Sequence, residues 1–149
     1  MRIKRRAKAR WEGTVPNGGG TMSGRSGALD VPFSLRSRVE DTPQTNPEEL
    51  IGAAHAGCFS MSLANLIEEA GHAPGHVETT AEVVLAEQDG GFSITEITLH
   101  ASGTAEGVDE AEFVRLAEQA KATCPVSRAL AGVEIRVDAT LAGADGPEL

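Results

Sequence analysis

The chain has 149 residues, 40% of them hydrophobic, and a formal net charge of −9; this length fits one domain with room for a real core. With four Phe, one Trp and no Tyr, the core must be aliphatic, and stacking on nucleic-acid bases is not its business. Residues 1–10, MRIKRRAKAR, hold six of the thirteen Lys and Arg and no acid, but the acidic remainder would repel a phosphate backbone, so this arm reads as part of a first strand with a solvated charged face.

In chain order, strand-like runs over about Ile3–Val15 and Thr21–Leu29 flank a strong turn at Pro16–Gly20. LDVPFSLRSRV follows as a third extended segment, with a second turn region at Asp41–Gln44. A long helix comes next. Asn46 is a good N-cap, Pro47 suits the first helical position, Glu49 can close a capping box, and Gly71 is a fitting stop. Its apolar residues cover nearly the whole circumference, which predicts a buried helix.

HVETTAEVVLAE alternates, with Val77, Thr79, Ala81, Val83 and Leu85 on one face. QDGG makes a hairpin turn, and a bulge near Thr95–Glu96 reconciles the parity of Phe92 and Ile94 with that of Ile97 and Leu99. Asp109 and Glu112 form a second capping box. Phe113, Leu116, Ala117, Ala120 and Cys124 share one stripe of the helix behind it, until Pro125 ends or restarts it. A short helix to Gly132, a final strand VEIRVDATL and a loose tail at about 143–149 complete the chain. The order β-β-β-α-β-β-α-α-β is α+β with an antiparallel sheet around a long central helix, in one domain over residues 1–149.

No uninterrupted apolar run reaches about 18 residues, so no membrane span is expected. The N-terminus lacks the apolar stretch of a secretory signal. Two widely spaced cysteines are not a disulfide scaffold; a cytoplasmic setting is expected, where such a pair does redox chemistry more readily than stapling.

Three readings compete for Cys58. It and Cys124 can be small buried hydrophobes. His55 and Cys58, one turn apart, could face a metal, but no C-x-x-C or H-x-x-x-H completes a zinc set, and His72 and His76 lie beyond the helix end, so no metal is expected. The third reading is a redox dithiol. Cys58 lies about three turns into its helix, too far for the dipole, and burial raises its pKa; a reactive thiolate would need an arginine from elsewhere. His55 is expected to donate a hydrogen bond within the core, His100 to be structural and Trp11 to anchor packing.

TNPEELIGAAHAGCFSMSL together with KATCPVSRAL resembles the OsmC/Ohr family of peroxide-reducing proteins, and ARWEGTV and GTMSGRSGAL are similar to its OsmC branch. The likeness spans about Ala9 to Leu141, with Gly57 standing where the family commonly has alanine. It implies a thiol peroxidase of oxidative or osmotic stress defence, acting on organic hydroperoxides without a cofactor. Cys58 would be the peroxidatic residue and Cys124 the resolving one. Glu48 would be the site's acid and Arg38 its arginine, with Arg36 and Arg25 weaker matches; the Ohr branch has its arginine earlier, where this chain offers PNGGGT. The resemblance further implies an intertwined homodimer with sites at its interface, recycled by a dithiol such as a lipoylated protein. An apolar pocket of Leu50, Phe59 and Met61 would select bulky alkyl or fatty-acid peroxides.

Spacing adds a constraint. Ten residues separate Glu48 from Cys58, about 15 Å along a straight helix. Either the helix breaks, or two subunits share each site through antiparallel central helices. A peroxide sensor, or a hydrophobic-ligand binder with inert cysteines, is the alternative function.

Overall fold

The computed structural model describes residues 1–141 and Leu149; apart from Leu149, the tail expected at about 143–149 lies outside the described residues. The elements are β1 (Ala7–Glu12), β2 (Gly19–Gly24), β3 (Asp30–Phe33), α1 (Leu35–Val39), α2 (Pro47–Glu69), β4 (Pro74–Gln88), β5 (Gly91–Ala105), α3 (Glu110–Thr123), α4 (Pro125–Ala129) and β6 (Glu134–Leu141). The α+β class and the long helix are as expected. Length suggests a single domain; the contacts group into two compact units, Met1–Leu50 and Ile51–Leu149.

In the first unit, β1, β2 and β3 form an antiparallel sheet in that order. The third extended segment expected over LDVPFSLRSRV is half helix: α1 follows β3 directly. Ser34 caps it, accepting from the Ser37 N–H at 3.2 Å while the Ser37 hydroxyl accepts from the Ser34 N–H at 3.0 Å. This is a capping box with serine at the third position, where glutamate or glutamine is the usual signal.

The start of α2 follows its local chemistry. The Asn46 side chain accepts from the Glu49 N–H at 2.8 Å, and its amide donates to the Ser37 carbonyl at 2.9 Å, tying α2 to α1. Glu49 completes no box; its carboxylate accepts from the Thr45 hydroxyl instead. At the other end Gly71 takes a left-handed φ of 89°. The Gly71 and His72 N–H groups there donate to the Glu68 and Ile67 carbonyls, satisfying two orphan acceptors.

In the second unit, β4 pairs antiparallel with β5, and β6 joins β5 in parallel, so the sheet is mixed where an antiparallel one was expected. The expected bulge is present: Val84 opposes Glu96 and Leu85 opposes Ile94, leaving Thr95 unopposed. Phe59, Leu63, Leu66 and Ile67 of α2 pack with Ile97, Leu99 and Ala101 of β5 and with Phe113, Leu116, Ala117 and Ala120 of α3. Gly52 allows the close approach of α2 to β4, since a Cβ there would lie 3.3 Å from Val83.

By length and composition α2 could cross a membrane, with mean hydropathy 1.4, contrary to the sequence expectation. A core helix passes the same test, and the four apolar side chains just named place α2 in a core. Burial is not all-round, however. Only 33% of the apolar window is buried, and Ala53, Ala54, Gly57 and Met61 are exposed.

Asn46→Ala should cost about 1 kcal/mol of stability. Asn46→Asp, which keeps the capping acceptor, should cost less. Urea unfolding monitored by circular dichroism measures both.

Candidate active site

Cys124 belongs to the core stripe of α3, but Pro125 cannot donate to continue that helix. The chain therefore turns at Cys124, whose N–H closes α3 on the Ala120 carbonyl at 2.8 Å and whose own carbonyl accepts from the Arg128 N–H at 3.0 Å to open α4. The kink aims Cys124 at α2. Its sulfur lies 2.9 Å from that of Cys58; both are free thiols, Cys124 fully buried and Cys58 half-buried. A disulfide is about 2 Å long, so joining them takes side-chain adjustment alone.

The surroundings treat the two sulfurs differently. Burial pushes the Cys58 thiol up, and its hydrogen bond with Cys124 adds to this, against the opposing pull of the Val126 N–H and the Ser62 hydroxyl. Burial also pushes Cys124 upward, but hydrogen bonds with Cys58, with the Ser127 N–H and hydroxyl and with the Val126 N–H together outweigh it and bring this thiol down. Within residues 51–141 no arginine or lysine acts on Cys58.

Arg38 and Glu48 meet in the first unit. Along α1, Arg36 and Arg38 lie about 200° apart, on opposite faces. Arg36 pairs with Glu40 at the surface. Arg38 turns to Glu48, with Nε 3.2 and 3.3 Å from the two carboxylate oxygens and Nη2 bonded to Oε1. Glu48 is 7% exposed, and a buried carboxylate needs such a partner. Arg25 is exposed on the turn after β2. The structure thus brings together Cys58 with Cys124, and Arg38 with Glu48.

Leu50, Phe59 and Met61 were expected to line a pocket. Phe59 is sealed in the core at 0% exposure and Met61 is 73% exposed, as their two-residue spacing on a helix dictates. Leu50 is half-buried. Instead, Trp11, Val15, Phe33, Ser34, Leu35 and Arg38 line a half-open apolar cavity of about 180 Å³. Trp11, Gly20 and Phe33 form one cross-strand row, and the bare Gly20 lets the two rings approach to 5.5 Å; a Cβ there would come 2.6 Å from the Phe33 ring. Sequence reasoning missed this cavity, along with Ser62 and Ser127. The only signals were Ser62 one turn after Cys58 and Ser127 three residues after Cys124.

An α+β frame holding two free cysteines within disulfide reach, in a chain similar to a peroxiredoxin and to organic hydroperoxide resistance proteins, marks a cysteine-based thiol peroxidase, an oxidoreductase. Residues 40–138 match the family described as OsmC-like protein, and the chain belongs to that family. It is 45% identical over 139 residues to peroxiredoxin OsmC of Escherichia coli (strain K12), covering 93% of this chain and 96% of the relative. It is 36% identical over 116 residues to the organic hydroperoxide resistance protein OhrA of Bacillus subtilis (strain 168), covering 76% and 77%. Among solved structures, OhrB of Bacillus subtilis superposes with a TM-score of 0.71 at 26% identity over 91% of this chain and 98% of that one. An organic hydroperoxide resistance protein from Elizabethkingia anophelis gives 0.72 at 28%, over 97% and 100%.

Because Cys124 raises the Cys58 pKa through its hydrogen bond and charge, Cys124→Ala should lower it. The pH profile of Cys58 alkylation by iodoacetamide should then move to lower pH; an unmoved or upward-moved profile would contradict the coupling described above.

Proposed function

We propose that the protein reduces organic hydroperoxides to alcohols through a Cys58 sulfenic acid and a Cys58–Cys124 disulfide, in oxidative-stress defence within the cytoplasm. The observation that carries this reading is the pair of free sulfurs 2.9 Å apart in a chain 45% identical to a peroxiredoxin. The Cys58 thiolate attacks the terminal peroxide oxygen. The O–O bond breaks, the alkoxide leaves and takes a proton, and Cys58 becomes a sulfenic acid. Cys124 then displaces the hydroxyl as water to form the disulfide, which an external dithiol, such as a lipoyl group carried on a protein, reopens.

Arg38 supplies the cation that lowers the Cys58 pKa and offsets charge on the leaving oxygen, and Glu48 holds its guanidinium in a forked pair. What supports these roles is the Nε and Nη2 bonding of Arg38 to a buried carboxylate, together with the contrasting surface engagement of Arg36. The apolar cavity at Arg38 suits an alkyl chain better than hydrogen peroxide does, with Trp11 and Phe33 as its walls. It takes the part first given to Leu50, Phe59 and Met61.

The working form in this reading is a homodimer. Helix α2 runs unbroken from Pro47 to Glu69, which supports a shared site over a broken helix. Antiparallel α2 helices from two chains would bring the Arg38–Glu48 pair of one protomer to Cys58 of its partner and cover the exposed Ala53, Ala54, Gly57 and Met61. A Cβ at Gly57 meets nothing within 4 Å in a single chain.

With excess dithiol, Cys58→Ser should abolish turnover of cumene hydroperoxide, and Arg38→Ala should cut kcat/KM about a hundredfold or more, as expected for losing a charge-assisted contact. Parental protein no faster than Cys58→Ser sinks the enzyme; a single reaction without recycling favours a sensor. Gly57→Leu should keep the helical circular dichroism signal yet sediment as a monomer of low activity. A fully active monomer would rule out the shared site.

A further inference from the structure

One buried polar pair plays no part in the chemistry above. His55 lies on α2 one turn before Cys58 and is 0% exposed. Its Nε2 is 2.7 Å from the Ser127 hydroxyl, and its Nδ1 has no hydrogen-bond partner among the described residues. Ser127, itself 4% exposed, acts on Cys124 through both its N–H and its hydroxyl. The pair thus ties the interior of α2, one turn from Cys58, to the first turn of α4, which Cys124 opens.

The proton position in that chain follows from the cost of burial. Burial pushes the His55 pKa down, so the ring is neutral and carries one proton. On Nδ1 that proton would be a buried donor without an acceptor, while Nε2 has the Ser127 oxygen beside it. The ring therefore donates from Nε2 to Ser127. With a lone pair so occupied, the Ser127 hydroxyl has its own proton free, in keeping with the downward pull of that hydroxyl on the Cys124 pKa. The reverse arrangement, Ser127 donating to His55, would withdraw this donor from Cys124.

We propose that His55 is a positioning residue for the resolving step: its hydrogen bond to Ser127 ties the first turn of α4 to α2 and so holds Cys124 toward Cys58, with the Ser127 hydroxyl left free to stabilise the Cys124 thiolate. The proposal rests on the reading of Cys124 as the resolving cysteine. In the step concerned, the Cys124 thiolate attacks the sulfur of the Cys58 sulfenic acid. The S–S bond forms, the S–O bond breaks, and the departing hydroxide combines with the proton released by Cys124 to give water. The Cys58 sulfur is reduced as the Cys124 sulfur is oxidised, so no further reactant is needed. His55 and Ser127 bear on this second step and not on the first attack, which belongs to Cys58.

The test separates the two steps. One equivalent of cumene hydroperoxide is mixed with the reduced protein, and rapid-quench mass spectrometry counts dimedone-trapped Cys58 sulfenic acid and Cys58–Cys124 disulfide. In Ser127→Ala and His55→Leu, peroxide consumption should stay within about twofold of the parent while disulfide formation slows about tenfold or more, the scale of one hydrogen bond to a charged sulfur. Dimedone capture should rise, and Cys58 sulfinic acid should accumulate at higher peroxide. His55→Gln, whose amide nitrogen can replace the Nε2 donor, should regain most of the disulfide rate. Disulfide formation at the parental rate in both variants overturns the proposal. So does equal slowing of both steps, or a glutamine variant no better than leucine, since either marks a packing role alone. A parent protein that consumes peroxide but forms no Cys58–Cys124 disulfide removes the resolving role of Cys124 itself, and that failure is visible before any variant is made.

Discussion

The meeting of Cys58 and Cys124 depends on a proline that a helix cannot absorb. Cys124 is held on the core face of α3 by the same spacing that buries Phe113, Leu116, Ala117 and Ala120. Pro125 then forces the chain to end one helix and begin another at that residue. The turn delivers a sulfur to within 2.9 Å of the Cys58 sulfur on α2. Had α3 continued, Cys124 would be one more small apolar side chain in an aliphatic core.

This arrangement places the sulfurs but does not arm the first of them. Burial opposes charge, and Cys58 bears the penalty without an opposite charge from its own unit. In the other unit Arg38 is locked to a carboxylate that is itself buried. A guanidinium held at Nε and Nη2 keeps its plane and position, which a free surface arginine such as Arg25 would not. Helix α2 is only half-covered within one chain, with Ala53, Ala54, Gly57 and Met61 exposed.

Features set by neighbouring residues were the legible ones. The start of α2 could be read from Asn46 and Pro47, its end from Gly71, the break after Cys124 from Pro125, and the bulge near Thr95–Glu96 from parity. Helix α1 was missed because its capping box uses Ser37 where a longer polar side chain is the usual signal, and because Pro32 just before it argues for extended chain. The parallel pairing of β6 was missed because register between distant strands leaves no local trace. Periodicity showed that both cysteines face a core; it could not show that they face each other, and the redox assignment came from resemblance to a family.

By itself the sequence determined where the long helix begins and ends, that its circumference is apolar, and that Cys58 lies too deep in it to draw on the dipole, because caps, stops and hydrophobic period act within a few residues. Only the tertiary structure decided which thiol is pushed up and which down, which arginine meets Glu48, and that Phe59 is sealed in the core while Trp11 and Phe33 line an apolar cavity. Those outcomes rest on contacts between residues far apart in the chain. Distances of a few ångströms there follow from how whole elements pack, and packing has no signature in the spacing of neighbours.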